Sequence, residues 1–168
     1  MIFSEEWLKE WIDPQMGTDI LMEKLTMAGL ESDGSSAVAY DFTGIVVGEV
    51  LTVEGHPDAE KLQVCKVSDG ANVFQVVCGA SNVRAGLKAP FATVGSEITI
   101  RESKEILKIQ IAKIRGVQSN GMLCSSEELG LEEKSEGLLE LSNSSVNGED
   151  IRELLKLNDT SIELDLTQ

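Results

Sequence analysis

The sequence predicts a mixed α/β protein in which a small β-barrel is inserted into a second α/β domain built from both ends of the chain. Two observations support this fold class. Helical periodicity is confined to the two ends, whereas short segments rich in β-branched residues fill the middle. No amphipathic helix separates those central segments, which is typical of a small barrel or sandwich. The predicted domains are 1–40 for the first part of the split domain, 41–148 for the barrel and 149–168 for a truncated second part.

Two short helices are predicted in the first 40 residues. The first covers 4–13, with Ser4 as its N-cap and glutamates in its first turn. Trp7 and Trp11 recur at helical spacing, which predicts that they pack in a core or between domains. The second helix is predicted over 18–29. Helices this short bury their apolar faces only against a partner.

Five strands are predicted in the middle of the chain, separated by turn-prone glycine, serine, asparagine and aspartate clusters. After them, 125–128 (SSEE) reads as a capping box for a short helix that ends at Gly130. The tail predicts a helix over 149–156 and a strand over 161–166. The chain then stops at Gln168 without a cap, so we expect the natural polypeptide to continue. The predicted central strands are 43–53, 61–67, 73–78, 87–93 and 106–115.

The net charge of −15 is unevenly distributed along the chain. Residues 41–128 hold 9 Lys/Arg against 11 Asp/Glu, a net of −2. The two flanks hold 5 Lys/Arg against 18 Asp/Glu, a net of −13. Within the middle, 101–115 has five basic and two acidic residues and is locally +3. The central region therefore remains compatible with a polyanionic partner, although the whole chain is acidic.

The composition also indicates the cellular compartment of the protein. No apolar run approaches the length that spans a bilayer, and the first residues lack a signal-peptide pattern. The odd number of cysteines, with no CxxC spacing, predicts free and buried thiols in a reducing compartment. We therefore predict a cytoplasmic protein without a membrane partner. The three cysteines are Cys65, Cys78 and Cys124.

Three blocks of sequence resemble a known nucleic-acid-binding family. They are 56–62 (HPDAEKL), 76–82 (VVCGASN) and 113–125 (KIRGVQSNGMLCS). In this order they resemble the tRNA-binding OB-fold module of phenylalanyl-tRNA synthetase β chains, methionyl-tRNA synthetase tails and EMAP II-like proteins. The resemblance implies that the central barrel is an OB-fold.

The sequences that flank the central barrel indicate which member of the family this chain resembles. Residues 3–12 (FSEEWLKEWI), 25–31 (LTMAGLE) and 150–164 (DIRELLKLNDTSIEL) are similar to the start of bacterial phenylalanyl-tRNA synthetase β chains. The resemblance implies an N-terminal fragment of that subunit, a class II ligase chain that works with an α subunit in a heterotetramer. It also implies that ATP and magnesium serve the full synthetase and that no cofactor binds in this fragment.

The resemblance implies tRNA as the partner, and basic residues of the barrel are the candidate contacts. Only three phenylalanines lie in the barrel segment, so binding should be weak and led by phosphate contacts rather than base stacking. A solvated basic face without RNA contact remains an alternative for each residue. No DNA partner is predicted. The candidate tRNA contacts are Lys61, Lys66, Arg84, Lys88, Arg101, Lys104, Lys108, Lys113, Arg115 and Ser119.

Two local features have more than one interpretation. Gly116 and Gly121 permit a tight loop in which the Ser119 hydroxyl could meet a phosphate, or which could simply close the barrel. His56, the single histidine, is predicted to be a hydrogen-bonded element of a turn rather than a metal ligand, and contact with the RNA backbone stays open.

No catalytic motif is present: the chain lacks a glycine-rich nucleotide loop and a credible nucleophile–histidine pair. Two functions therefore remain, a tRNA-binding module and a packing module within the synthetase with marginal RNA contact. We also predict an unpaired strand edge near 162–166, through which the isolated fragment would self-associate.

Overall fold

The computed structural model describes residues 1–100 and 103–165. The chain divides into two compact units, a smaller one from Met1–Ala39 with Lys156–Gln168 and a larger one from Tyr40–Leu155. The described residues form three helices, α1 (Glu5–Trp11), α2 (Thr18–Met27) and α3 (Ile151–Leu154). They also form the strands β1 (Ile2–Ser4), β2 (Glu31–Ala37), β3 (Phe42–His56), β4 (Ala59–Ser68), β5 (Val73–Cys78), β6 (Lys88–Thr99), β7 (Ile106–Lys108), β8 (Ala112–Ile114), β9 (Val117–Ser119), β10 (Met122–Leu123) and β11 (Thr160–Asp165).

The smaller unit has a three-stranded antiparallel sheet in the order β1-β11-β2. Ile162 and Leu164 of β11 point to one face and alternate with the exposed Glu163. They pack with Leu21 of α2 to form the core of this unit. The predicted second helix is confirmed, and it brings Leu21 and the partly buried Met22 and Leu25 into this core.

The predicted strand edge at 162–166 is wrong for the residues that the structure describes. β11 is the central strand of its sheet, with Phe3 of β1 opposite Ile162 on one side and β2 on the other. The sequence hides β2 because its polar and glycine-rich segment, ESDGSSA, lacks the β-branched residues that mark strands. Leu166, the end of the predicted edge, lies outside the described residues.

Helix α1 is confirmed, and Ser4 caps it through a 3.0 Å bond from Trp7 N to Ser4 Oγ. The predicted core packing of its tryptophans is wrong within this chain, because Trp7 is 54% and Trp11 77% exposed. The inward face carries Glu5 and the half-buried Leu8, three positions apart, so the tryptophans fall on another face of the helix. Their rings meet edge to face, with centroids 6.5 Å apart.

The larger unit is built on an antiparallel sheet in the order β10-β6-β3-β4-β5, with β7 also paired to β6. The first four predicted central strands are present, and β3 and β6 extend well beyond their predicted ends. Register shifts in the β3–β4 and β3–β6 pairs interrupt the ladders, and such bulges bend a sheet. The fold is thus mixed α/β, mostly antiparallel, with few helices.

One aromatic side chain anchors the core of the larger unit. Phe91 of β6 is fully buried and packs among Val50, Val67 and Val76, which are also fully buried. Phe74 lies against it, with ring centroids 5.3 Å apart. Removing a buried phenylalanine side chain from such a core typically costs about 3–5 kcal/mol.

The fifth predicted strand, 106–115, is two strands with a break between them. β7 ends at Lys108, and buried Ile109 still bonds to β6 through its N and Ser96 O at 2.8 Å. The chain then leaves β6 and starts the β8–β9 hairpin. The sequence hides the break because its apolar residues continue across it.

One predicted helix is absent, and another is shorter than expected. In 125–128 the capping-box bonds form, with Ser125 N donating to Glu128 Oε2 at 2.6 Å, but they close a turn and not a helix. α3 has four residues, and its Arg152 guanidinium donates to Tyr40 O at 2.9 Å. That bond joins two residues of the larger unit, to which α3 belongs, whereas the predicted domain boundary at 149 assigned it to the split domain.

The cysteines are free and buried, as predicted. Burial raises the pKa of Cys65 to about 11 and also raises the pKa values of Cys78 and Cys124. Such thiols stay protonated near neutral pH and are poor nucleophiles. Among the described helices, none has the length and apolar character needed to cross a membrane.

Candidate nucleic-acid interface

The β8–β9 hairpin presents two of the predicted cations. Its strands pair antiparallel, with Lys113 directly opposite Gln118. Arg115 and Gly116 form the turn with φ values of +45° and +90°, the left-handed conformation that two-residue hairpin turns require. Lys113 and Arg115 are both exposed. The hairpin therefore projects two positive charges into solvent from a tight turn.

Hydrogen bonds hold this hairpin against β5. Gln75 Nε2 donates to Gln118 O at 2.9 Å, and Asn120 N donates to Gln75 O at 2.7 Å. On the other side, Lys66 of β4 lies opposite Gln75, and its Nζ donates to Gln75 Oε1 at 3.2 Å. Lys66, Gln75, Gln118, Lys113 and Arg115 thus form one continuous polar surface, which we call the lysine–glutamine surface.

His56 fixes the hairpin from β3. Its Nδ1 accepts a bond from Asp58 N at 3.0 Å, which leaves Nε2 to donate to Ile114 O of β8 at 3.1 Å. The ring is buried. These bonds confirm the predicted structural role in a turn. No cluster of three metal-ligating side chains exists in residues 1–100 and 103–165.

The hydroxyl of Ser119 is used inside the protein. It accepts a bond from Val77 N at 3.0 Å and donates to Gly121 O at 3.0 Å. Ser119 is only 2% exposed, so its hydroxyl is not available to a phosphate. Of the two interpretations of this loop, the geometry supports the structural one, and Ser119 leaves the set of candidate contacts.

Replacing Ser119 with alanine is expected to destabilise the chain by about 1–3 kcal/mol, because the buried Val77 N–H loses its acceptor. Urea unfolding of the variant measures the change. Ser81→Ala, at an exposed serine, is the matched control and should stay within about 0.5 kcal/mol of the parent. A Ser119→Ala protein as stable as the control would show that the bond has no stabilising role.

Four predicted cations are engaged by other groups of the larger unit. Arg84 makes two 2.8 Å bonds to the Glu140 carboxylate, and Lys108 lies 4.0 Å from Glu97. Lys88 Nζ donates to Ser145 O at 2.6 Å. Lys104 stands 5.5 Å from the centre of the Tyr40 ring.

Two predicted cations remain, Lys61 and Arg101. Lys61 is exposed near the start of β4. Arg101 lies outside the described residues. The structure therefore joins Lys66, Lys113 and Arg115 in one surface and distributes the other cations elsewhere.

The Arg84–Glu140 ion pair is expected to make the stability of the folded state depend on pH. Hydrogen bonds from Arg84, and in second place from Asn82 Nδ2, lower the pKa of the Glu140 carboxyl from its ordinary 4.5 to about 2. A lowered pKa means that the pair stabilises the folded state above pH 4.5 and loses that contribution as the pH falls towards about 2. NMR titration of the Glu140 side chain should show this midpoint, and Arg84→Ala should return it towards 4.5. An unchanged midpoint in the variant would contradict the pairing.

Aromatic stacking groups are scarce, as predicted. Phe42 and Phe91 are buried, and Phe74 is half-buried against Phe91. The lysine–glutamine surface therefore offers cations and amides but no aromatic face. Such a surface contacts phosphates and sugars, and it does not read bases by stacking.

Gln75 and Gln118 belong to this surface but were not among the contacts predicted from the sequence. Gln75 is the one polar residue in the apolar run VFQVVC of β5. That interruption was the available signal, since a polar side chain within an apolar strand marks a solvent-facing position.

A family model, "Putative tRNA binding domain", matches residues 45–150. The chain belongs to this family. The match covers the whole lysine–glutamine surface, so the surface is a feature of the tRNA-binding domain and not of the smaller unit.

Curated relatives match the chain over nearly its full length. The chain is 57% identical over 167 residues to a phenylalanine–tRNA ligase β subunit from Hahella chejuensis, and 54% identical to one from Pseudomonas fluorescens. In both cases the match covers 99% of this chain and 20% of the relative. The tRNA-binding domain and its flanks thus span about a fifth of the length of these relatives.

Among solved structures, a MetRS-related protein from Pyrococcus horikoshii matches 62% of this chain and 85% of its own length. The sequence identity is 22% and the TM-score is 0.46.

Proposed function

We propose that this chain supplies the tRNA-contacting module of a phenylalanine–tRNA ligase β subunit and has no catalytic activity alone. The single observation that carries the proposal is the lysine–glutamine surface within a tRNA-binding domain. Lys66, Lys113 and Arg115 supply positive charge for phosphate oxygens, and the bonds of Gln75 to Lys66 Nζ and to Gln118 O hold β4, β5 and the hairpin together. Lys61, exposed on β4, remains a candidate outside this surface.

We propose further that the larger unit is an OB-type barrel. Its sheet order leaves β5 and β10 at the two ends, and the bonds of Gln75 and Val77 to 118–120 bridge from β5 towards β10. These bonds support closure by a short connecting segment. In this proposal the larger unit, Tyr40–Leu155, is the barrel, inserted in the sequence between the Met1–Ala39 and Lys156–Gln168 segments of a split α/β domain.

The activity of the longer protein is also a proposal for this chain. The relatives are ligases by name, and the resemblance adds class II chemistry with ATP and magnesium. Those groups would bind outside this chain, on the α subunit and later β-chain domains of a cytoplasmic heterotetramer. Within this chain, the residues contribute binding and orientation.

A second candidate function is packing within the synthetase, with marginal RNA contact. The exposed Trp7 and Trp11 of the smaller unit favour it, because exposed tryptophans are typical of protein contact surfaces. The smaller unit is also acidic, with 3 Lys against 11 Asp/Glu and a net of −8, which disfavours RNA contact by that unit. The two functions are compatible, since they use different units.

Binding of phenylalanine-accepting tRNA at several salt concentrations tests the proposal. The logarithm of affinity should fall linearly with the logarithm of salt concentration, by about 0.7–0.9 per neutralised phosphate. Lys113→Ala should make that slope shallower by about one phosphate. Absence of binding at low salt would reject tRNA contact by this chain and leave the packing function.

A further inference from the structure

A pocket of about 640 Å³ opens in the larger unit, where β5, β6 and β10 end. A volume of this size is typical of sites that enclose large side chains or small ligands. The lysine–glutamine surface contributes none of its five residues to the lining. The walls are mostly apolar and include Val77, Ile98, Leu107, Met122, Leu123 and Leu138.

Two glutamates stand at this pocket. Glu127 and Glu128 are exposed and line it. Both are oriented by local bonds: Glu128 Oε2 accepts from Ser125 N at 2.6 Å, and Glu127 Oε2 accepts from Ser135 N at 3.3 Å. The segment 127–140 contains six glutamates and one lysine. This charge repels phosphate, so an RNA strand is a poor occupant, and a cationic group beside an apolar one is a good one.

The surface beside the pocket favours a polypeptide over a small molecule. Leu107 of β7 lines the pocket and is 43% exposed, so the apolar surface of the pocket reaches β7. Among the described strands, β7 pairs with β6 alone, which leaves its other edge open to an extended backbone. Addition of a strand to such an edge is a common mode of peptide recognition.

We propose that this pocket is a docking site for an extended protein segment. The segment would place a leucine-sized side chain in the pocket, a lysine or arginine against Glu127 and Glu128, and its backbone along β7. This proposal does not depend on the tRNA contact, because it uses a different surface of opposite charge.

Titration of the isotope-labelled chain with short blocked peptides tests the proposal by NMR. The probe is Lys-Leu-Leu-Lys, and the controls are Glu-Leu-Leu-Glu, which reverses the charge, and Lys-Ser-Ser-Lys, which removes the apolar groups. The probe should shift the amides of Cys78, Leu107 and Leu138 and bind at least about tenfold more tightly than either control. Equal binding of the three peptides, or shifts confined to other surfaces, would overturn the proposal.

Two variants at pocket residues, together with one control outside the pocket, locate the interaction without disturbing the core. Leu107→Ser should weaken probe binding at least about threefold, whereas Val146→Ser, at an exposed residue outside the pocket lining, should leave it unchanged. Glu127→Gln should weaken it about two- to fivefold, as expected for one exposed ion pair. Unchanged binding in both pocket variants, or displacement of the probe by tRNA, would also reject the site.

Discussion

Replacing Gly121 with alanine is expected to destabilise the larger unit by about 2–6 kcal/mol. A Cβ there would lie 2.6 Å from Phe91 Cε2 and 2.7 Å from Ala92 O. Such overpacking costs about 1–3 kcal/mol, and the φ of +130° adds about 1–3 kcal/mol for any residue other than glycine. Small domains are stable by only about 5–15 kcal/mol, so the variant should unfold at a much lower urea concentration.

Gly116→Ala is the matched control for this effect. Gly116 also has a left-handed φ, +90°, but a Cβ there would have no heavy atom within 4 Å. The control should lose only the backbone term of about 1–2 kcal/mol. Equal destabilisation of the two variants would show that the contact with Phe91 does not determine the requirement for glycine at Gly121.

Removing both hairpin cations, in Lys113→Ala/Arg115→Ala, is expected to weaken tRNA binding on the order of tenfold near 50 mM salt. The slope of the logarithm of affinity against the logarithm of salt concentration should become shallower, by the amount expected for the loss of about two phosphate contacts. Both side chains are exposed, so folding should be unaffected. Fluorescence anisotropy with labelled tRNA at several salt concentrations measures both quantities.

A second double variant, Arg84→Ala/Lys108→Ala, removes the same net charge from cations that already face carboxylates. We expect its tRNA affinity to stay within about threefold of the parent, because Glu140 and Glu97 already neutralise those charges. Equal losses in the two double variants would mean that tRNA responds to total charge and not to the lysine–glutamine surface.

Much of the fold could be predicted because local patterns determine it. Ser4 caps α1 as predicted, and the apolar β-branched runs give β3, β4, β5 and β6. β2 could not be predicted, because its polar sequence forms a strand only through pairing with β11. The break at Ile109 was hidden because both sides of it are apolar. Strand order and the exposure of Trp7 depend on tertiary contacts, which the sequence pattern does not specify.

The candidate site was predictable only as a set of basic residues. Sequence alone does not distinguish Lys113, which is exposed on a hairpin, from Arg84, which is paired with a carboxylate 56 positions away. Ser119 was included because it lies in a glycine-rich loop, yet its hydroxyl closes that loop from inside. Gln75 was missed because its role depends on the hairpin packed beside it.

An amide footprint of phenylalanine-accepting tRNA on the isotope-labelled chain tests the central claim most directly. We predict that the most strongly perturbed signals in the larger unit are those of Lys66, Gln75 and the hairpin 113–118, with Glu127 and Glu128 unaffected. A footprint centred on Glu127 and Glu128, or on Arg84 and Lys108, would contradict the claim that tRNA contacts the lysine–glutamine surface.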